Sequence, residues 1–144
     1  MILKILDNRI LYFNPGRSLE FGKLNQFYHF MDHHPGVTGG RIHRFSDYSA
    51  IERIDMEPES IQAVSDIRSV TTATQRPSRA VIFSSQPLGF DIANMFATYF
   101  ISGPIQLRAM RDLDEALAWI EAADLKETIL ELGRLPGGMG GQII

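Results

Sequence analysis

Short β-compatible runs alternate with amphipathic helical stretches along the chain, and this alternation points to an α/β domain. The clearest run is Ala80-Val81-Ile82-Phe83, within Arg79 to Ser84, which is continuously apolar. A run of that kind suits a strand buried on both faces of a sheet.

The rest of the chain reads around that strand. Ile2 to Leu6 and Arg9 to Phe13 are two further strands, and Asp7-Asn8 between them favours an antiparallel hairpin. Ser18 is placed to cap a helix running to Asp32, in which Phe21, Leu24, Phe27, Tyr28 and Met31 follow helical spacing. His33-His34-Pro35-Gly36 ends it. A strand is expected from Arg41 to Phe45 and a loop from Ser46 to Asp55. Pro58 opens a helix over Glu57 to Thr72, with Ile61, Val64 and Ile67 as its buried stripe and Arg68 solvated. Pro87 to Tyr99 is helical, followed by a strand from Ile105 to Ala109. Asp112 caps a last core helix carrying Leu113, Ala116, Leu117 and Ile120. The expected fold is therefore a single α/β domain over residues 1–124, with a mixed sheet of about five strands and about four helices. Residues 125–144 read as a helical extension and a flexible glycine-rich tail.

Composition removes several function classes. A chain of 144 residues fits one domain with a core of its own. It has no cysteine, which excludes disulfides, thiolate metal sites and a thiol nucleophile. A net charge of −3 provides no field for phosphate backbones, and the densest basic group, Arg41, His43 and Arg44, is small. Nucleic acid is not an expected partner. The start of the chain is charged too soon for a signal peptide, and the apolar stretch Met95 to Ile105 is broken by Thr98, Ser102, Gly103 and Pro104. No membrane span is expected, and the cytoplasm is the expected location.

In the C-terminal half, the strand Arg79 to Phe83, the helix Leu88 to Phe96 and the segment Leu107 to Ile120 form one pattern. Its most specific piece is Asp112-Leu113-Asp114-Glu115-Ala116-Leu117-Ala118-Trp119. The pattern resembles the SpoIIAA-like family, small bacterial domains related to STAS domains. Over about residues 2–122 this resemblance implies an antiparallel hairpin continued by parallel strands, and a regulatory or protein-binding role without catalysis. Phosphorylation-switched STAS regulators carry a serine or threonine in an Asp-Ser-Ser-Gly-like turn. Ser46-Asp47-Tyr48-Ser49 keeps the residue types without that motif.

Candidate chemistry is sparse. His29 and His33 stand four apart on a helix, the spacing at which two imidazoles share a metal, but Phe30 occupies the place of a zinc-protease glutamate. A charged histidine at a helix C-terminus is the simpler reading. Ser84-Ser85 lacks the glycines of a nucleophile elbow and reads as the start of the next helix. Gly137 to Gly141 lacks the lysine and hydroxyl of a phosphate loop. Ser46, Asp47 and Ser49 follow a strand, at the sheet edge where open α/β folds bind ligands. Phe90, Phe96 and Phe100 form core, a dimer face or the wall of an apolar pocket. The expectations are a non-enzymatic regulatory or protein-interaction domain, with a protein partner or itself in a homodimer, or else a binder of a small apolar ligand or lipid. No cofactor is expected. An enzyme would need groups joined by the fold, such as His43 with Asp47.

Overall fold

The computed structural model describes residues 1–99 and 103–135, with the backbone of Gln142–Ile143. The strands are β1 (Ile2–Leu6), β2 (Ile10–Asn14), β3 (Ser18–Glu20), β4 (His43–Asp47), β5 (Arg53–Asp55), β6 (Ser78–Phe83), β7 (Ile105–Met110) and β8 (Gln142–Ile143). The helices are α1 (Phe21–Asp32), α2 (Pro35–Thr38), α3 (Pro58–Thr72), α4 (Pro87–Tyr99), α5 (Leu113–Trp119) and α6 (Lys126–Gly133).

The main sheet has the order β7-β6-β4-β2-β1-β8. β1 and β2 are antiparallel, and the pairs β2–β4, β4–β6, β6–β7 and β1–β8 are parallel. The expected hairpin forms at Asp7 and Asn8, which take φ of 52° and 53°. The Arg9 N–H donates to the Leu6 carbonyl at 2.9 Å across that turn. β3 and β5 pair apart from the main sheet.

Side-chain alternation divides the core into two layers. Leu11, Phe13 and Ile82 meet Leu24, Phe27 and Met31 of α1, Ile61 of α3 and Phe96 of α4. On the other face, Ile10, Tyr12, Phe45, Val81 and Phe83 meet Ala116 and Leu117 of α5 and Ile129 of α6. Ile129 is buried, so α6 completes the second layer rather than trailing from the domain. The glycine-rich stretch expected to be flexible falls largely outside the described residues. Among them, Gln142–Ile143 adds a parallel edge strand to β1. No helix among the described residues is long and apolar enough to cross a membrane.

Three local expectations are corrected. Ser18 does not cap α1: it lies in β3, where Leu19 is fully buried, and the helix starts two residues after Leu19. Ser46 and Asp47 belong to β4, and Arg53 to Asp55 form β5, so the expected loop is confined to the residues between them. In α3, Ile67 is 65% exposed while Arg68 is 6% exposed. At about 100° per residue, position 68 returns to within about 20° of Ile61 while position 67 lies about 120° away. A strict three-residue spacing drifts off the buried face.

Candidate functional site

The site is organised by β4, whose alternate residues serve different layers. Arg44, Ser46 and, just past the strand end, Tyr48 face the layer of α1, α3 and α4. There they line a half-enclosed cavity of about 90 Å³, together with Leu24, Phe27, Tyr28 and Met31 of α1 and Arg68, Ser69 and Thr72 of α3. Phe96 of α4 and Ile105 and Leu107 of β7 complete the apolar wall. Tyr48 meets Phe96 edge-on, with ring centroids 6.2 Å apart.

Two arginines share this region, and they are held differently. Arg68 Nη1 donates to both carboxylate oxygens of Asp32, at 2.8 and 2.7 Å, and its guanidinium lies 4.6 Å from the centre of the Tyr28 ring. That cation is paired and stacked. Arg44 is 4% exposed, and its hydrogen-bond partners among the described residues are neutral: Nη1 donates to Ser78 Oγ at 3.2 Å and Nη2 to Gln75 Oε1 at 3.3 Å. Arg44 Nε is buried without a hydrogen-bond partner among the described residues. Burial, and then repulsion from Arg68, pull the Arg44 pKa down to about 10, which leaves it charged at neutral pH.

Phe45 and Asp47 point to the opposite layer. Asp47 Oδ1 accepts the Ser49 backbone N–H at 3.0 Å. The Tyr12 hydroxyl, which accepts from Asn14 Nδ2 at 3.2 Å, faces the same carboxyl. Burial raises the Asp47 pKa above the usual carboxylate value, opposed by the Ser49 and Tyr12 hydrogen bonds. Ser49 Oγ in turn accepts the Ser85 N–H at 3.0 Å, tying the β4 exit to the β6 exit. Ser84 Oγ accepts from Gln86 N–H at 3.0 Å and so shapes the turn into α4. Gly89 is required there, because a methyl group at that position would overlap the Tyr48 carbonyl and Ser84 Oγ.

The fold therefore separates the residues that sequence order grouped. Ser46 and Phe96 meet at the cavity, whereas Asp47 and Ser49 make a hydrogen-bonded edge on the other side of β4. Phe90 is half-buried beneath the Arg111 guanidinium, 4.2 Å from its ring centre, away from the cavity. Phe100 lies outside the described residues. His43 and Asp47 are four residues apart on one extended strand, about 13 Å by strand rise, so they do not form an acid–base pair. His43 Nδ1 accepts the Arg79 N–H at 3.0 Å, and burial first of all lowers its pKa. The His29 and His33 rings lie tilted against each other with centroids 4.2 Å apart, and His33 Nδ1 lies 2.8 Å from the His29 carbonyl. No group of three potential metal-ligating side chains occurs among the described residues.

Sequence reasoning missed the Arg44, Arg68 and Asp32 arrangement. Its signal was present: Arg44 stands two residues from Ile42 and Ser46 in a strand, and Arg68 stands seven residues from Ile61 in a helix. Comparison of the chain with family models, curated proteins and solved structures found no match.

Proposed function

We propose that the protein is a non-enzymatic, ligand-responsive domain that holds a small molecule between its sheet and α1, α3 and α4. The observation that carries this reading is the cavity of about 90 Å³, a void in a layer where side chains otherwise interdigitate. Its polar lining consists of hydroxyls and guanidinium groups: Ser46, Ser69, Thr72, Tyr28, Tyr48, Arg44 and Arg68. Such groups orient a ligand through a few placed hydrogen bonds. The resemblance to SpoIIAA-like domains supports a binding or regulatory role.

The test is saturation-transfer NMR with a mixture of short-chain alcohols, amides and acids on the native protein and on Ala80→Leu. Ala80 lines the cavity, and the larger side chain fills it. Binding by at least one member, lost in the filled variant, is the expected result. Absence of binding by every member, or binding that survives in Ala80→Leu, overturns the proposal.

A second reading, self-association, has its own observation. Phe21, Ile67 and Val70 of α1 and α3 are 44%, 65% and 78% exposed. Phe21 and Ile67 border a surface groove between these helices. Light scattering of the native chain and of Ile67→Asp tests it: a dimer that dissociates in the variant supports this reading, and a monomeric native chain removes it.

A further inference from the structure

We infer that His29 and His33 form a chelating site for a divalent transition-metal ion, Cu²⁺ or Ni²⁺ in preference to Zn²⁺, with water in the ion's remaining positions. Neither residue lines the cavity of the proposed ligand. Both side chains are exposed at the end of α1, His29 in its last turn and His33 as the residue that closes it. Residues four apart lie on one face of a helix, so the two imidazoles are neighbours by construction. The backbone that carries them is held in place. The His33 N–H donates to the His29 carbonyl at 3.3 Å, and the His34 N–H donates to the Met31 carbonyl at 3.3 Å.

The His33 ring is already set as a metal ligand would be. A carbonyl oxygen can only accept, so His33 Nδ1, 2.8 Å from the His29 carbonyl, is the donor there and carries the hydrogen. In the neutral ring the lone pair then sits on Nε2, at the outer end of the side chain. Metal-binding histidines ordinarily hold their second ring nitrogen in this way, through a bond that fixes tautomer and orientation together. The neighbouring candidates are committed elsewhere: Asp32 accepts from Arg68 with both oxygens, and His34 Nδ1 accepts the Gly36 N–H. A helix C-terminus also favours positive charge, which an ion supplies there.

Ring spacing selects among the ions. Imidazole nitrogens about 2.0–2.1 Å from one ion put their ring centres about 4.5 Å apart at a right angle and about 5.2 Å apart at the tetrahedral angle. The observed 4.2 Å, with 33° between the ring planes, is nearer the right angle. Right-angled nitrogen donors suit the tetragonal geometry of Cu²⁺ and Ni²⁺, and Cu²⁺ leads the affinity order of divalent ions. Zn²⁺ prefers the tetrahedral angle with three or four protein ligands, and no group of three occurs among the described residues.

The experiment titrates Cu²⁺, Ni²⁺ and Zn²⁺, each alone, into the native chain, His29→Gln, His33→Gln and His34→Asn, above the ordinary imidazole pKa of about 6.5. One Cu²⁺ per chain is expected, bound about tenfold or more tighter than Zn²⁺, with Ni²⁺ between them. Loss of either chelating histidine should weaken Cu²⁺ binding about tenfold or more. His34→Asn keeps a capping side chain for α2 and should leave the affinity unchanged. In the native protein, substoichiometric Cu²⁺ should broaden the ring resonances of His29 and His33 first, a readout that needs no variant. Cu²⁺ affinity unchanged in both glutamine variants, broadening centred on other residues, or no saturable binding overturns the site. Zn²⁺ bound as tightly as Ni²⁺ overturns the right-angle geometry. A hydrogen found on Nε2 rather than Nδ1 of neutral, metal-free His33 overturns the positioning role of the His29 carbonyl.

Discussion

Strand β4 carries Arg44 and Ser46 to one face of the sheet and Phe45 and Asp47 to the other, and the two faces accommodate a buried charge in different ways. Asp47 is ringed by groups of its own domain: the Ser49 N–H, the Tyr12 hydroxyl and, from α6, the close approach of Gly133. Around it, Phe45 is stacked between Tyr12 and Phe83, with centroids 5.9 and 5.8 Å away. Among the described residues, the Arg44 face has a void, an Nε without a hydrogen-bond partner, and two guanidinium groups beside one carboxylate. A layer built only for stability would resemble the first face. The second leaves space and a buried N–H without a partner among the described residues.

The sharpest way to break this comparison is truncation on the closed face. Phe45 is fully buried, and Phe45→Ala should cost about 3–5 kcal/mol in urea unfolding. A cost under about 1 kcal/mol would mean that the second layer is as loosely filled as the first. Next in size is Asp32→Asn, which leaves Arg44 and Arg68 facing each other without an anion and should cost about 3 kcal/mol. In an Arg44→Met background the same substitution should cost about 1 kcal/mol less, because one of the two repelling charges is gone. Additivity of the two changes would show that Arg44 and Asp32 do not share a field.

These residues also mark where the sequence was readable and where it was not. The hairpin at Asp7-Asn8, the buried β6, the Asp112 cap with its 2.9 Å bond from Glu115 N–H, and the α/β architecture all follow from local patterns. Each depends on a turn, a cap or a period written within a few residues. Ser18 failed because strand pairing with β5, more than thirty residues away, overrode a good capping residue. The cavity failed for a related reason. Its charge balance depends on Asp32, Arg44 and Arg68, which come from α1, β4 and α3 and meet only after the layers pack. Ser46 and Phe96 were legible as candidates because a strand end and an aromatic helix face are local features. Arg68 was read as solvated, and Arg44 only as one member of a small basic group.

Arg44→Met sharpens the comparison from the open side. Removing an unpaired buried cation and filling part of its space should leave stability unchanged or raise it by about 1 kcal/mol. The same exchange at a residue whose hydrogen bonds hold the fold together would destabilise it. A loss of about 2 kcal/mol or more would mean that the bonds to Ser78 and Gln75 outweigh the burial of the charge, and the contrast between the faces would weaken.

The smallest effect lies at Asp47 and is read as a pH dependence. Its folded-state pKa is raised above the unfolded value, so between those two values the folded chain holds the proton more tightly. Stability attributable to this group therefore falls as pH rises through that window, and the full cost of burying the charge is present above it. Asp47→Asn keeps an oxygen for the Ser49 N–H and removes the charge. The variant should be more stable than the native chain at neutral pH, and the difference should close as pH falls below the unfolded value of about 4. His43 works in the adjacent window with the opposite sign. Its pKa is lowered, so its stabilising contribution is complete above the unfolded value of about 6.5 and is lost as pH falls through the folded one. Urea unfolding of Asp47→Asn across both windows separates the two, because the His43 step stays in the variant while the Asp47 step disappears. An Asp47→Asn curve parallel to the native one at every pH would show that the Ser49 and Tyr12 hydrogen bonds fully offset the burial of the carboxylate.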